Sequence, residues 1–537
     1  VLGNSGAIPG LCRSCNVKAK RNLLWTLRVR MPIPRVYSLL PASHREGVLV
    51  LLSASTPCPG LFYATPAKDG ILSRIRIPGG ILNSKQCGAI AVIADMYGGY
   101  VDVTNRANLQ IREISQGINA EVLKQLQDLG LGSRNPMIDH IRNIMSSPTA
   151  GIDSQEIIDT RPLVQGWDDY LAAHSELAGL SAKFSVCFDG GGLVSVSDRL
   201  NDILFAAILI DHNVYFRLHL SIGEKGKPPS DVGIIVTPDE CLLVLAALAD
   251  VYLAHIDTSS KRKPRLREVI NSLGCDHYLQ KVEKRLPFSW KRFKQSLVKK
   301  DQRSSYIGIH PQRQPGLFYI GVVLPLGRLE SQQIRSLGDL AAKFGSGTIR
   351  LTPWQNLLIT DIPQQYVADV QSEIIGLGLD FAVTNIKSAL VACSGKRGCA
   401  ASATDTKAHA LALSDYLQTR VKLNCPINIH FTGCEKSCAQ HHSSDITLLG
   451  VKNGNIESYH IYVGDGDNHE KFGRLLYQNV SFKELPSLIE KMLNVYKSYR
   501  IHADESFKEF SYRYGITPLK ELFSQHTYNL HTSAVCN

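Results

Sequence analysis

Two short stretches, ACSGKRGC at residues 392–399 and GCEKSC at 433–438, hold four cysteines in two pairs. Cys393 and Cys399 are spaced C-x5-C, Cys434 and Cys438 are spaced C-x3-C, and Cys434 lies 35 residues after Cys399. Four thiolates in a tetrahedral set suit zinc or an iron–sulfur cluster. A zinc ribbon pairs C-x2-C with C-x2-C, which these spacings match poorly. A 4Fe–4S cube needs a chain that wraps its four corners closely. Gly395, Gly398, Ala400, Gly433, Ser437 and Ala439 are small enough for that wrap and leave backbone N–H groups free to point at sulfide. Lys396, Arg397 and Lys436 are placed to offset the negative charge of such a centre. The competing reading of any one of these cysteines is a buried apolar thiol, which is the reading given to Cys425. Cys12 and Cys15 form an isolated C-x2-C with no second pair beside it.

The elements that position the cysteines belong to a duplicated chain. Residues 79–114 align with residues 326–362: Leu82 matches Leu329, Ser84 matches Ser331 and Gln86 matches Gln333, all at a separation of 247. After one inserted residue, Thr104 matches Thr352, Asn108 matches Asn356 and Ile111 matches Ile359 at 248. That period is far longer than a solenoid repeat, so half of a protein has been copied. In each copy a serine opens a helical pattern, with Ile90, Ala94 and Tyr97, or Leu337, Ala341 and Phe344, on one face. Glycine stops the helix, and two alternating strands follow. Residues 183–192 and 216–223 read as strands, 239–255 as a helix, and the C-terminal segment as two amphipathic helices. The predicted fold is α+β: two ferredoxin-like modules and two larger mixed α/β modules with pseudo-twofold symmetry. The expected boundaries are an extension at 1–54, a first ferredoxin-like half-domain at 55–120, a first α/β module at 121–300, a second ferredoxin-like half-domain at 301–370 and a second α/β module with the cysteines at 371–537.

Composition narrows the function classes. The 537 residues exceed what one core organises, and 44% hydrophobic with 20% charged is ordinary for a water-soluble chain. No apolar run reaches membrane-spanning length. The formal net charge of +11 raises nucleic acid as a partner, yet no zinc-finger, homeodomain or RNA-binding pattern is present. The charge equally suits an acidic redox partner or a polycarboxylate. The basic run at 259–269 reads as a solvated linker. Thirteen scattered cysteines fit reduced thiols and a cytoplasmic setting better than disulfides.

The C-x5-C…C-x3-C signature and the duplicated layout resemble the nitrite and sulfite reductase superfamily, which combines siroheme with 4Fe–4S. Precorrin-3B synthase of the oxygen-dependent cobalamin pathway belongs to the same superfamily. The resemblance makes Cys393, Cys399, Cys434 and Cys438 the cluster ligands, and in the siroheme reductases Cys438 also bridges to the siroheme iron. A tetrapyrrole of this type carries up to eight carboxylates and needs a basic pocket. The resemblance places Arg76, Arg106 and Arg142 on positions that bind the macrocycle or face its distal side, with Lys183 beside them. Arg74 is a further basic candidate. Arg106 corresponds to Trp354 in the second repeat, and that asymmetry favours an active-site role for the first copy.

Local motifs divide the branches. Sulfite reductases carry a K-F-K triplet; here it reads Lys183, Phe184, Ser185, so the second amine is missing, as it also is in nitrite reductases. GCEKSCA, with Lys436 where reductases have asparagine, and CSGKRGCAAS resemble the synthase loops, although Ser394 replaces a proline and Gln440–His441 departs from histidine–proline. The reading drawn from these loops is a precorrin-3B synthase-like monooxygenase. It would hydroxylate precorrin-3A and close a γ-lactone, with tetrapyrrole and O2 as substrates. Its 4Fe–4S cluster would supply electrons from an external ferredoxin-like donor, with a mononuclear non-heme iron as a candidate second centre. His441 and His442 are its candidate ligands or bases, or else solvated loop residues. The alternative is a ferredoxin-dependent nitrite or sulfite reductase with siroheme, in which Arg76, Arg142 and Lys183 neutralise a small oxyanion and supply protons. Neither nucleic acid nor membrane is an expected partner.

Overall fold

The computed structural model describes residues 59–115, 117–260, 262–293, 306–465 and 471–525. Cys12, Cys15 and the extension at 1–54 lie outside the described residues.

The two repeats build a pair of five-stranded antiparallel sheets that trade an edge. Thr65–Ala67, Gly70–Ile75, Leu109–Ile114 and Tyr100–Val103 form the first sheet, and its last strand comes from the second repeat, Arg328–Glu330. Reciprocally, Ile81–Asn83 completes the second sheet against Thr348–Leu351, beside Leu357–Pro363, Leu317–Val322 and Gly308–Pro311. The swap follows from the chain itself. In each copy a strand of three residues runs directly into a helix, Ser84–Met96 or Ser331–Phe344, and a strand so short gains most by adding to an existing edge. The helices start at the serines and are capped one residue earlier, by Asn83 and Glu330. Gln86 and Gln333 return hydrogen bonds to the Asn83 and Glu330 backbone N–H groups at 2.9 and 3.0 Å, closing a capping box in each copy. The two helices pack on each other so tightly that a Cβ at Gly338 would lie 2.6 Å from Cys87 Cβ. One core therefore serves both modules, with Leu82, Ile90, Val101 and Ile111 beside Leu329, Leu337, Ile349 and Ile359.

The matched Thr and Asn residues shape one turn twice. Thr104 and Thr352 Oγ1 accept from the N–H of Asn108 and Asn356 at 3.2 and 3.1 Å. Asn108 and Asn356 Oδ1 accept from the N–H of Ile77 and Leu324 at 2.7 and 2.9 Å. The turn between them juts from the sheet and carries Arg106 in one copy and Trp354 in the other.

The larger sheets repeat a second pattern. Ile144–Ser146, Val186–Asp189 and Ile203–Ile210 run parallel, followed antiparallel by Asn213–Leu220, Ser230–Val236 and Lys291–Arg292. Leu390–Ala392, Ile429–Thr432 and Ile446–Asn453 run parallel, followed by Ile456–Val463 and Arg474–Ser481. Helices cover one face of each: Arg161–Ala173 and Cys241–Leu253 on the first, Thr406–Gln418 and Leu485–Tyr499 on the second. The duplicated α+β architecture with pseudo-twofold symmetry is the one expected. The basic run is less of a linker than its composition suggests, because Arg265 Nη2 bonds to buried Asp202 at 2.8 Å and the helix Leu266–Leu273 starts at once.

Candidate cofactor and anion site

Ligand-binding loops in open sheets gather at the carboxyl ends of parallel strands. Both cysteine pairs lie there. Cys393 follows Leu390–Ala392 and Cys434 follows Ile429–Thr432, which are neighbours in the sheet. Their pseudo-equivalents in the first module are the loops that follow Ser146 and Asp189. There Asp153 fills the space, accepting from Thr149 Oγ1 at 3.1 Å and from the Gln155 and Val194 N–H groups at 2.9 and 3.2 Å. Only the second module leaves thiols at this end.

The thiols converge. Burial raises the Cys438 thiol above its ordinary value, and Cys434, Cys393 and Cys399 raise it further, while Lys436 opposes them. Cys438 is the exposed member; the other three are half-buried. The Gly433 N–H donates to Cys393 Sγ at 3.3 Å. Among the described residues no three His, Cys, Asp or Glu side chains close around a point that one metal ion would fill. The expected mononuclear iron has no ligand set there either. His442 accepts from Arg199 Nη1 at 2.9 Å through Nε2, and Cys425 Sγ is 3.6 Å from the Tyr496 hydroxyl.

Support for the first cysteine loop comes from the first ferredoxin-like module. Arg112 clasps Asp69 at 2.8 and 2.9 Å and donates to the Gly398 carbonyl at 2.8 Å. Lys68 Nζ donates to the Lys396 carbonyl at 2.9 Å. Lys396 and Arg397 turn away from the thiols, toward Glu457 at 2.7 Å and Asp405 at 2.9 Å, so they do not offset the thiolate charge as their sequence position suggests. Lys436 remains in that role.

The turn at 104–107 is the seam between modules. Asn105 Nδ2 donates to the Cys438 and Ala439 carbonyls at 3.4 and 3.0 Å. Arg106 reaches the other way, to Asn143 Oδ1, the Leu200 carbonyl and Asn201 Oδ1 at 2.8, 2.8 and 2.6 Å. These acceptors are neutral, so its charge is not cancelled where it bonds. Burial, opposed by Asp202 and reinforced by Arg76 and Arg265, pulls its guanidinium down to about 10. Trp354, its counterpart, stacks on Tyr306 with ring centroids 4.7 Å apart and lies 5.5 Å below the Arg199 guanidinium.

Arg76 is buried directly after the strand Gly70–Ile75, and its charge bears on Arg106, Asp139 and His140. Arg142 is also buried, but is held by Asp168, with Nε and Nη2 each at 2.8 Å from its carboxylate. Burial opposes the charge, yet that pairing raises the guanidinium above its ordinary value. Nη1 keeps no hydrogen-bond partner, with the Asp139 carboxylate at 3.8 Å. Arg74 is half-buried, and its Nη2 donates to Gln110 Oε1 at 3.3 Å. Lys183 is exposed. Ser185 is buried, with N–H and Oγ both donating to Asp202 Oδ2 at 3.1 and 3.2 Å.

Sequence reasoning named His441 but missed two residues whose charge bears on it, Lys225 and Lys471. His441 is exposed at the end of the second cysteine loop, yet the protein around it partly desolvates it. That desolvation, then Lys471, Lys225, Lys183 and Arg106, depress its imidazole to about 4. Lys225 and Lys471 sit in hairpin loops with no motif to mark them.

Comparison with known proteins fixes the branch. Residues 64–129 and 310–376 match the nitrite/sulfite reductase ferredoxin-like half domain. Residues 137–289 and 385–529 match the nitrite and sulphite reductase 4Fe-4S domain. The chain is 30% identical over 449 residues to a ferredoxin–nitrite reductase of Synechococcus elongatus, covering 81% of this chain and 88% of that one. It is 29% identical over 458 residues to the chloroplastic ferredoxin–nitrite reductase of Spinacia oleracea, covering 81% and 76%. The solved NirA protein of Mycobacterium tuberculosis shares the fold, at TM-score 0.71, 24% identity and 84% coverage of both chains.

These similarities overturn the synthase reading. Precorrin-3A hydroxylation and lactonisation, monooxygenase chemistry, a place in cobalamin biosynthesis, and tetrapyrrole with O2 as substrates all fall with it. The physical reason is that its discriminator, Lys436, is an exposed loop side chain that the fold barely constrains. Whole-chain similarity outweighs such a position. The chain belongs to the nitrite and sulphite reductase family.

Proposed function

We propose that this protein is a ferredoxin-dependent nitrite reductase that carries siroheme and a 4Fe–4S cluster. The observation that carries the reading is a quartet of converging thiols, one of them exposed, at the carboxyl ends of neighbouring parallel strands. Cys393, Cys399, Cys434 and Cys438 would hold the cluster, and exposed Cys438 is the thiol that would also serve the siroheme. Arg76 and Arg106 suit the carboxylates of the macrocycle, and the orphaned Nη1 of Arg142 is a buried donor for a bound anion. When bound, the two groups would relay to nitrite, one at a time, the six electrons that an external donor supplies.

The chain's own part is electrostatic and protonic. Lys183 brings an ammonium to an anion at the cleft and can donate a proton to a departing oxygen. Arg142, fixed by Asp168, presents a guanidinium that cannot swing away. Reduction of nitrite to ammonium consumes eight protons, so donors that reload from water are required, and exposed Lys183 meets that need. Nitrite is favoured over sulfite by Ser185. The position that would carry a second amine is buried and committed to Asp202, so no other group takes its place. Electrons come from outside, and the relatives named above are ferredoxin enzymes, so an acidic ferredoxin is the donor that suits a chain of net charge +11.

The test is anaerobic purification with iron, labile sulfide and extractable tetrapyrrole measured on one sample, followed by turnover with reduced ferredoxin. The expected result is about four irons and four sulfides per chain beyond the siroheme iron, with ammonium formed from nitrite. Sulfide produced from sulfite at higher kcat/KM than ammonium from nitrite would overturn the substrate assignment.

A further inference from the structure

The loop that carries Cys434 and Cys438 has a counterpart in the first large module. Residues 190–202 follow its second parallel strand, Val186–Asp189, as residues 433–445 follow Ile429–Thr432. The same hydrogen bonds frame both. The Ser185 and Asn428 N–H groups donate to Asp202 and Asp445 Oδ2 at 3.1 and 2.8 Å. The Ser221 and Gly464 N–H groups donate to the Asp202 and Asp445 carbonyls at 2.8 and 3.1 Å. Every one of these pairs is 243 residues apart, and so are Arg199 and His442, which touch: Arg199 Nη1 donates to His442 Nε2 at 2.9 Å. A residue meets its own counterpart only at the pseudo-twofold axis, so this contact lies on the axis. Arginine has no acceptor, so Nε2 accepts, and Nδ1 holds the ring hydrogen toward the Ser443 carbonyl at 3.1 Å. Two arginines here would repel; an arginine and a neutral imidazole complement each other.

Both sides of the contact are braced. Arg199 Nε donates to Asp198 at 2.8 Å, and its guanidinium lies 5.5 Å from the Trp354 ring, which stacks on Tyr306. The next two residues, Leu200 and Asn201, accept from Arg106. In the other loop, Gln440 Nε2 donates to Asn428 Oδ1 and Ser444 Oγ at 2.7 and 2.8 Å, and the Gln440 carbonyl accepts from Ser437 Oγ at 2.5 Å. Ser437 is buried in the left-handed region, at φ 55°, directly before Cys438. Residues 199–201 therefore touch Arg106 on one side and the loop of the exposed thiol on the other. Building on the nitrite-reductase reading, we propose that Arg199 is a positioning residue: through His442 it sets where Cys438 stands relative to Arg106. Its loss lets the loop drift while the exchanged strands and the three cores keep the fold. A misplacement of about 1 Å far from the chemistry costs up to about 100-fold in rate.

The experiment compares anaerobic holoenzymes with matched iron and sulfide content. Arg199→Met removes the donor, His442→Leu removes the acceptor, and Arg199→Lys keeps a donor. The readouts are visible absorption, the paramagnetic resonance of the reduced protein, the urea midpoint, and kcat and KM for nitrite. In Arg199→Met and in His442→Leu, kcat should fall about tenfold or more with KM within about twofold, and both spectra should shift alike. The double variant should be no worse than the worse single one, since one contact is lost in all three, and Arg199→Lys should stay within about threefold of the parent. Unchanged spectra and kcat in Arg199→Met overturn the proposal. So do additive losses in the double variant, or a lowered urea midpoint with unmoved spectra, which marks a role in stability alone. Where Arg199→Met fails to hold iron, His442→Gln decides, because its side-chain oxygen still accepts: parent-like spectra and kcat uphold the pairing, and impairment equal to His442→Leu overturns it. An unaltered protein without cluster or siroheme removes instead the reading on which the proposal rests.

Discussion

Gly433 is the point where the two cysteine loops touch, and an alanine there is the sharpest perturbation the structure offers. Its N–H donates to Cys393 Sγ at 3.3 Å and its carbonyl accepts from the Ala403 N–H at 2.8 Å, so the backbone is pinned on both sides. A Cβ would lie 1.7 Å from Ser402 Oγ, 2.8 Å from Ser402 Cβ and 3.2 Å from Ser402 Cα. Gly433 is not among the residues with positive φ, so the cost is contact rather than backbone conformation. Ser402 is buried and its hydroxyl donates to the Thr404 carbonyl at 2.8 Å. Rotating it away loses that bond and strands a buried hydroxyl, about 1–3 kcal/mol. Overpacking adds about 1–3 kcal/mol. Gly433→Ala should therefore destabilise the protein by about 2–6 kcal/mol and lower its labile sulfide, because the loop opens where the cysteine pair begins. Ser402→Gly removes the two nearest atoms, so the double variant should recover about 2 kcal/mol relative to additivity. The assay is the urea midpoint together with iron and sulfide per chain. If Gly433→Ala keeps full sulfide and an unchanged midpoint, or if Ser402→Gly restores nothing, the close-approach argument is wrong.

Two further outcomes follow from the same geometry. Asp168→Asn removes the charge that fixes Arg142 and should cut kcat/KM for nitrite more than about tenfold, against little change in Asp169→Asn, whose carboxylate only receives Gln165 at the surface; equal effects would deny Arg142 its positioning. His430, depressed to about 3 by burial and then by His442, His441 and Lys471, binds its proton only in the unfolded chain between pH 6.5 and 3. Stability should fall with pH across that window by up to about 1.4 kcal/mol per pH unit from this group. Urea midpoints at pH 7, 6 and 5 should show a shallower slope in His430→Gln than in the parent.

The duplication was legible because it is written in local chemistry. Thr104 with Asn108 and Thr352 with Asn356 recur because each pair closes the same turn, and Gln86 and Gln333 recur because each caps the same helix. The grouping of the four cysteines was legible for a similar reason: each pair is close in sequence among small residues, and the two pairs follow neighbouring strands of one sheet. The branch was misread where the reading leaned on Lys436, whose exposed side chain answers to little beyond its own loop. Lys396 and Arg397 were misassigned because proximity in sequence to a thiol says nothing of which way a long side chain turns.

By itself, then, the sequence determined a twice-built α+β chain with four thiols at one end of its second half, since hydrophobic period, capping and turn residues act over a few positions. The tertiary structure alone decided what surrounds those thiols. The exchanged edge strands press two repeats into one core. Asp168 claims Arg142 from 26 residues away. The charges of Lys225, Lys183 and Arg106 bear on His441 across more than two hundred residues of chain. Charge interactions act through space and leave no period along the sequence, so only the folded arrangement shows which cations bear on which base.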